Sequence, residues 1–131
     1  MQRNMRYAEF IADLRPSSKF SNTDFSYSIF EKGFFKDSDF SYCAFFSAKL
    51  MDANFRNCDF SYSDLTNADL SDSDLVNACF EYANLTNANL SDAYCSNCNF
   101  KSAILMGTKF INTRLQNADF ENSNKDDAIF K

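Results

Sequence analysis

Five cysteines are the most reactive side chains of this 131-residue chain, and two of them form the segment CSNC at residues 95–98. Cysteines at this spacing are typical of redox-active disulfides and of zinc sites. The chain has no histidine and no second Cys-x-x-Cys pair that could complete a zinc site. An odd cysteine count without an export signal favours reduced thiols over disulfides. We therefore expect reduced cysteines, no metal site and no cofactor.

Carboxylates are the other group with possible chemistry, and they are concentrated in the middle of the chain. Residues 52–92 contain eight acidic residues and one basic residue, Arg56, which gives a net charge of −7 against −5 for the whole chain. A surface of this sign attracts a basic partner and speeds its approach. The side chains predicted to bind that partner are Asp52, Asp69, Asp72, Asp74 and Asp92. The alternative is that these aspartates only form turns and keep the protein soluble.

Catalysis by these carboxylates is not expected. Because the chain lacks histidine, a general base would have to be a carboxylate with a raised pKa, and outward aspartates are poor candidates. Aspartate, serine and tyrosine recur at regular intervals, whereas the residues of an active site gather in one pocket. The sequence therefore predicts a protein that is not an enzyme.

A five-residue period must position all of these side chains. In steps of five from Phe20 to Phe130, the 23 positions reached contain 13 Phe and 8 Leu; the residue two places earlier is always small. An α-helix would spread this spacing around its surface, and a flat strand would turn every second Phe to water. The period therefore predicts a bent chain with two inward residues per repeat, one large and one small. Asn and Asp suit the bends.

Three segments show a specific resemblance: NADLS at residues 67–71, NANLS at 87–91 and NADFE at 117–121. They resemble the pentapeptide repeat family, whose motif is a small residue, Asp or Asn, Leu or Phe, and two polar residues. The resemblance covers residues 18–130. It implies an all-β solenoid, a right-handed quadrilateral β-helix in which four repeats form one 20-residue coil. At this length the solenoid has about five and a half coils.

Residues 20 apart should stack on one another in such a solenoid. One column contains a single residue type: Phe20, Phe40, Phe60, Phe80, Phe100 and Phe120. We expect a ladder of offset rings there. In the same phase Cys95 falls at a large inward position and Cys98 at a small one, so both should fill the core. Cys79 alone should point outward, where it could react.

Two further columns should lie on the outside. Tyr42, Tyr62 and Tyr82 could offer a stacking platform to bases or to a partner, but a ladder that stiffens the surface is favoured. No basic stripe accompanies them, so direct nucleic-acid binding is not predicted. The second column should be an amide ladder that holds the turns: Asn57, Asn77, Asn97 and Asn117.

The segment before the repeats predicts a cap. Four apolar side chains lie there at helical spacing: Tyr7, Phe10, Ile11 and Leu14. With Pro16 as a stop, they predict a short N-terminal capping helix over residues 4–15. The chain then divides into a cap, 1–17, and the pentapeptide-repeat β-helix, 18–131. The alternative is an irregular extra coil, because Ala8 and Phe10 also fit the five-residue phase.

At the other end, Lys125 occupies an inward position, which predicts a looser last coil. Solenoid ends expose core side chains and unpaired backbone. We therefore expect an end-to-end homodimer through residues 110–131, with contacts from Phe110, Leu115, Phe120 and Phe130. Sedimentation that shows a monomer at high concentration would rule this out.

The favoured function is a rigid, non-catalytic protein-interaction module whose acidic face binds a basic surface of another protein. The resemblance implies an alternative, because some pentapeptide repeat proteins are DNA mimics that bind a type II topoisomerase, DNA gyrase, and confer quinolone resistance. Those members are longer, dimerise through a C-terminal helix, and several have loops between coils. The sequence here predicts uninterrupted coils.

The expected location is the cytoplasm. No apolar run approaches the roughly 18 residues needed to span a bilayer, so no membrane association is predicted. The N-terminal segment carries charges throughout and lacks the apolar stretch of a signal peptide.

Overall fold

A computed structural model describes residues 2–131 and shows a coil that pairs with itself every 20 residues. Strands β1, Arg3–Asn4, and β2, Thr23–Asp24, pair in parallel, and a 3-10 helix spans Lys125–Asp127. Elsewhere single parallel bridges join residues 20 apart, one in every five-residue repeat. Four bridges per coil give the coil four sides. No helix within residues 2–131 has the length and hydropathy needed to cross a bilayer.

Each side ends at a corner residue with a left-handed backbone. From Tyr7 to Asn122, one residue in every five has φ between 51° and 67°. From Tyr7 to Gly107 the corner N–H donates to a carbonyl of the next coil, as Asn77 N–H does to Ser96 O at 3.0 Å. Asn or Asp occupies 13 of these 24 corners, because short polar side chains tolerate this conformation better than most.

Asn and Asp also recur at the bridge position, which lies three residues before each corner residue. Their Oδ1 accepts the backbone N–H two residues further on, at 2.9–3.2 Å. This local bond fixes the approach to the corner. It forms at Asn4, Asp24, Asp39, Asn54, Asp59, Asp64, Asp69, Asp74, Asn84, Asn89, Asn99 and Asp119.

The core contains the predicted ladder of rings. Along the column from Phe20 to Phe120, neighbouring ring centroids are 5.0–5.4 Å apart and the rings are within 14° of parallel. The small inward residues fill the space beside the rings, and their hydroxyls or thiols donate to buried carbonyls, as Ser63 does to Phe60 O. No buried polar side-chain atom in residues 2–131 lacks a partner. The prediction of stacked inward columns is therefore confirmed.

The predicted capping helix over residues 4–15 is wrong. This segment forms a regular first coil with corners at Tyr7 and Ala12 and with Phe10 buried. Its N–H groups donate to the second coil, as Phe10 N–H does to Ile29 O at 2.7 Å. A helix would have left those carbonyls without donors. The segment is the extra coil of the alternative prediction, but a regular one, and the pairing crosses residue 17 without a break.

Because of this first coil, the solenoid has more coils than the sequence predicts. Between Arg3 and Asn122 the chain completes six coils of 20 residues, and residues 123–131 begin a seventh. The expected value of about five and a half coils counted only residues 18–130.

The last coil departs from the regular pattern, as Lys125 predicts. Lys125 is exposed, and its Nζ lies 5.1 Å from the centroid of the Phe120 ring and 5.8 Å from that of Phe130. Leu105 N–H donates to the Asn124 side chain at 2.6 Å instead of to a backbone carbonyl. At the opposite end Arg15 also occupies an inward position, and its Cζ lies 5.4 Å from the Phe10 ring centroid. Each cation covers an aromatic face of the core.

The residues assigned to an end-to-end dimer differ in burial. Phe110 is buried, Leu115 and Phe120 are partly buried, and Phe130 is 37% exposed. Lys125 lies over two of these rings. Dimerisation through this end stays a prediction.

The state of the cysteines differs from the prediction, whereas the burial of Cys95 and Cys98 agrees with it. Cys95 and Cys98 form a disulfide, so the expectation of reduced thiols is wrong for this pair. Their inward positions place both in the same interior, with Cα atoms 5.3 Å apart, which is within the normal range for a disulfide. Both are buried, as predicted for core residues. Cys43, Cys58 and Cys79 are free thiols.

Native alkylation with iodoacetamide at neutral pH should modify Cys79 alone, and slowly. Burial raises the pKa of both Cys43 and Cys58 to about 12, and burial also raises the pKa of the half-buried Cys79. The thiolate, which is the nucleophile, is therefore scarce at all three sites. Peptide mapping should find three labelled cysteines after denaturation and five after reduction. Rapid native labelling of Cys43 would contradict this packing.

Candidate functional site

Three of the predicted partner-binding residues occupy one corner on successive coils. Asp52, Asp72 and Asp92 have φ of 57°, 57° and 61°, and all three side chains are exposed. Neighbouring coils are about 4.8 Å apart, the spacing of paired strands. None of the three carboxylates has an ion-pair partner among residues 2–131. We name this column the acidic corner.

The other two predicted residues lie at bridge positions on the two sides that meet at the acidic corner. Asp69 pairs with Lys49 and Asn89 on one side, and Asp74 pairs with Asn54 and Tyr94 on the other. Both carboxylates also form the local bond to the backbone two residues further on. These two aspartates therefore have a structural role in addition to their charge.

A groove of about 360 Å³ lies on the side that contains Asp74, and it includes three of the five predicted residues. Its lining combines carboxylates with an aromatic ring, an amide, small apolar groups and one guanidinium. The lining residues are Asp52, Ala53, Asn54, Arg56, Asp72, Asp74, Val76 and Tyr94. Three acidic side chains against one basic side chain leave the groove with a net negative charge. Asp69 and Asp92 lie outside it.

Arg56 partly neutralises the groove. Its Nη1 donates to Asp74 Oδ2 at 3.1 Å, and both side chains are partly exposed. An ion pair with this exposure contributes at most about 1 kcal/mol to stability. The free negative charge of the groove therefore lies at Asp52 and Asp72, on the acidic corner.

Sequence reasoning missed five lining residues: Ala53, Asn54, Arg56, Val76 and Tyr94. Asn54 and Tyr94 belong to the column of bridge residues that also contains Asp74. Reading every twentieth residue from Leu14 would have found this column. Because this outward column mixes apolar, amide, acidic, aromatic and basic residues, it has no repeated residue type that would mark it in the sequence.

Among residues 2–131, no group of three or more Cys, Asp or Glu side chains is arranged to hold a metal ion. The absence of a metal, of a cofactor and of catalysis stays a prediction.

The profile of the pentapeptide repeat family matches residues 18–57, 48–87 and 83–122 with eight copies of the repeat. These matches cover most of the chain. The chain belongs to the pentapeptide repeat family. Members of this family fold as right-handed quadrilateral β-helices, and the coil described above has this architecture. No curated protein matches the chain.

Three solved structures of QnrB1, described as a plasmid-mediated fluoroquinolone resistance protein, are similar to this pentapeptide repeat protein. The full-length QnrB1 structure is 20% identical with a TM-score of 0.54, and it aligns over 94% of this chain and 84% of its own. Two trypsin-treated variants are 21% and 24% identical with TM-scores of 0.62 and 0.58. Each aligns over 92% of this chain and about two thirds of its own. At this identity the likeness shows the fold.

The tyrosine column of this pentapeptide repeat protein forms a stacked ladder. The ring of Tyr62 lies 4.8 Å from that of Tyr42 and 5.0 Å from that of Tyr82, within 12° of parallel. Partial desolvation and the two neighbouring tyrosines raise the pKa of Tyr62. Because the rings cover one another's faces, mainly edges and hydroxyls point to solvent. This geometry supports the stiffening ladder over a platform for bases.

The asparagine column forms part of the predicted amide ladder. Asn77 Nδ2 donates to Asn57 Oδ1 at 3.0 Å, and Asn57 Nδ2 donates to Asp37 Oδ1 at 2.9 Å. In the described residues the side chains of Asn97 and Asn117 do not join it. The ladder therefore holds one corner over three coils.

Proposed function

We propose that this protein is a rigid, non-catalytic interaction module that binds a basic surface of another protein through its acidic corner. The observation that carries the proposal is the column of unpaired carboxylates at Asp52, Asp72 and Asp92. Like charges at this spacing repel one another by roughly 0.8 kcal/mol even in water. A basic partner relieves this repulsion and is steered to the corner.

The rigidity of the corner supports this function. Each corner N–H is held by the next coil, as Asp72 N–H is by Ser91 O at 3.1 Å. The carboxylates are therefore displayed at fixed spacing without a loop that must order on binding. Bringing a partner to a preformed surface costs less conformational entropy than folding a segment around it.

Affinity capture with matched variants tests the acidic corner. The triple substitution Asp52→Asn, Asp72→Asn and Asp92→Asn removes the charge and keeps a residue type that suits a left-handed corner. Its control removes the same charge elsewhere, with Glu9→Gln, Glu31→Gln and Asp126→Asn. The expected result is a partner captured by the wild type and the control and lost from the corner variant. Equal capture by all three proteins would contradict the role of the corner.

The likeness to QnrB1 favours a second candidate, binding to DNA gyrase as a DNA mimic. It rests on TM-scores of 0.54–0.62 with a fluoroquinolone resistance protein and on the acidic middle of the solenoid. The test is DNA supercoiling by purified gyrase with and without a quinolone. Wild-type protein at micromolar concentration should change supercoiling or drug inhibition, and the triple corner variant should not. No effect of the wild type would discard this candidate.

A further inference from the structure

The side of the solenoid that contains the groove is apolar in its first coils and polar in the coils that follow. Its bridge column pairs residue with residue in the order Leu14, Phe34, Asn54, Asp74, Tyr94 and Arg114. The first two members are apolar and exposed, at 71% and 36%. The groove follows in the next coils, and Tyr94 closes it with a ring that is 45% exposed. We name this side the groove face.

Leu14 and Phe34 are apolar residues that pair with each other at the bridge position, whereas other apolar residues there, such as Ile29, pair with polar ones. In 12 repeats this position holds an Asn or Asp whose Oδ1 accepts a backbone N–H. Apolar side chains cannot form this bond, and Leu14 and Phe34 lie outside the buried core. The pair forms a small exposed apolar patch beside the polar groove, and apolar patches rimmed by polar residues are a feature of interaction sites. This apolar pair is independent of the charge on the acidic corner.

The groove itself fits a cation with an apolar stem. Asp52 and Asp72 supply carboxylates on its acidic-corner side, and Val76 and Ala53 supply apolar surface. The groove already holds one guanidinium, that of Arg56 on Asp74, so the unpaired charge for a ligand is at Asp52 and Asp72. The Arg114 guanidinium covers one face of the Tyr94 ring, with its Cζ 4.7 Å from the ring centroid.

We propose that the groove face binds an extended segment of a partner protein along the solenoid axis, with an apolar side chain on Leu14 and Phe34 and an arginine or lysine in the groove. This inference rests on the proposed function and adds the site and the partner's chemistry to it. Nucleic acid does not fit, because the unpaired carboxylates repel phosphate. A segment with both side-chain types matches the apolar and acidic halves of the face.

Coil spacing gives the separation of the two side chains along the partner segment. From the coil of Phe34 to the midpoint between Asp52 and Asp72 is one and a half coils, or about 7 Å. Residues two apart in an extended chain point to the same side and are separated by about 6.6 Å. The segment should therefore carry an apolar and a basic residue two positions apart, as apolar–x–basic or basic–x–apolar according to its direction.

The test is selection of a random peptide library on the immobilised wild-type protein, followed by affinity measurement with the enriched peptides. Enrichment of an apolar residue two positions from an Arg or Lys, in either order, is expected. Phe34→Asn, which restores the common residue of this position, should weaken binding at least tenfold, and so should Asp52→Asn with Asp72→Asn. The control Asp64→Asn, on the opposite side of the solenoid, should leave affinity within twofold. Asp92→Asn, on the acidic corner but outside the groove, should weaken binding less than Asp52→Asn with Asp72→Asn. Thermal melting should show that all variants keep the fold.

Three outcomes would overturn the inference. Enriched peptides without the spacing, or no enrichment, would show that the groove face is not the site. Equal loss with Asp92→Asn and with the groove variant would show that the whole acidic corner binds, so the proposed function would stand without the groove. A wild-type dimer in sedimentation that Phe34→Asn dissociates would show that the face is covered by a second copy of this chain.

Discussion

Phe60→Ala should lower the free energy of unfolding by about 3–5 kcal/mol, a large share of the roughly 5–15 kcal/mol that is typical of folded proteins. The Phe60 side chain is fully buried and lies in the middle of the ring ladder. It stacks on Phe40 at 5.3 Å and on Phe80 at 5.2 Å, and its edge meets the ring of Phe55 at 5.4 Å. Truncation removes these contacts and leaves a cavity between coils that are held in place by backbone bonds.

The matched control for this prediction is Phe60→Leu. Leucine already fills inward positions in the neighbouring repeats, at Leu65 and Leu70, so the loss should be closer to about 1–2 kcal/mol. Denaturant unfolding followed by circular dichroism measures both changes. Equal destabilisation by the two substitutions would contradict this prediction, because it would show that the apolar volume of leucine replaces none of the stability that the stacked ring supplies.

The inward residues were predictable because they obey one simple constraint. A five-residue period with no slip can place Phe60 and Phe80 on the same interior only if the chain turns once per repeat, and the stacked columns follow from that. The first coil was missed because its apolar residues satisfy two periods together. Four of its residues also fit a helix: Tyr7, Phe10, Ile11 and Leu14. The carbonyls of the second coil, however, need backbone N–H donors, and only a first coil paired with it supplies them.

The corner conformation was only partly predictable. Asn and Asp signal a left-handed corner at positions such as Asn77, but Tyr42, Lys32 and Ala12 adopt the same φ without any preference for it. These residues follow the backbone bonds of their neighbours. For Tyr42 the cost is offset by ring stacking on Tyr62.

The candidate site was also only partly predictable from the sequence. The column of Asp52, Asp72 and Asp92 follows from spacing and charge alone. The groove depends on side chains from three coils and on the ion pair between Arg56 and Asp74. Residues 18 apart form that pair because the coil length, and no sequence motif, brings them together.

Asn77→Pro should lower the free energy of unfolding by about 3 kcal/mol or more, which is the other large effect that we expect. Asn77 has φ of 64°, whereas the proline ring fixes φ near −65°. Proline also removes the N–H that donates to Ser96 O at 3.0 Å. The substitution therefore breaks both the corner and its bond to the next coil. Denaturant unfolding measures the loss.

Asn77→Gly and Asn77→Ala separate these causes. Glycine adopts the left-handed conformation freely and keeps the N–H, so it should stay within about 1 kcal/mol of the wild type despite the loss of the bond to Asn57. Alanine keeps the N–H but meets the left-handed penalty of about 1–2 kcal/mol. The expected order of stability is glycine, alanine, proline. If alanine equalled glycine, the corner would carry no backbone strain, and the preference for Asn there would need another cause.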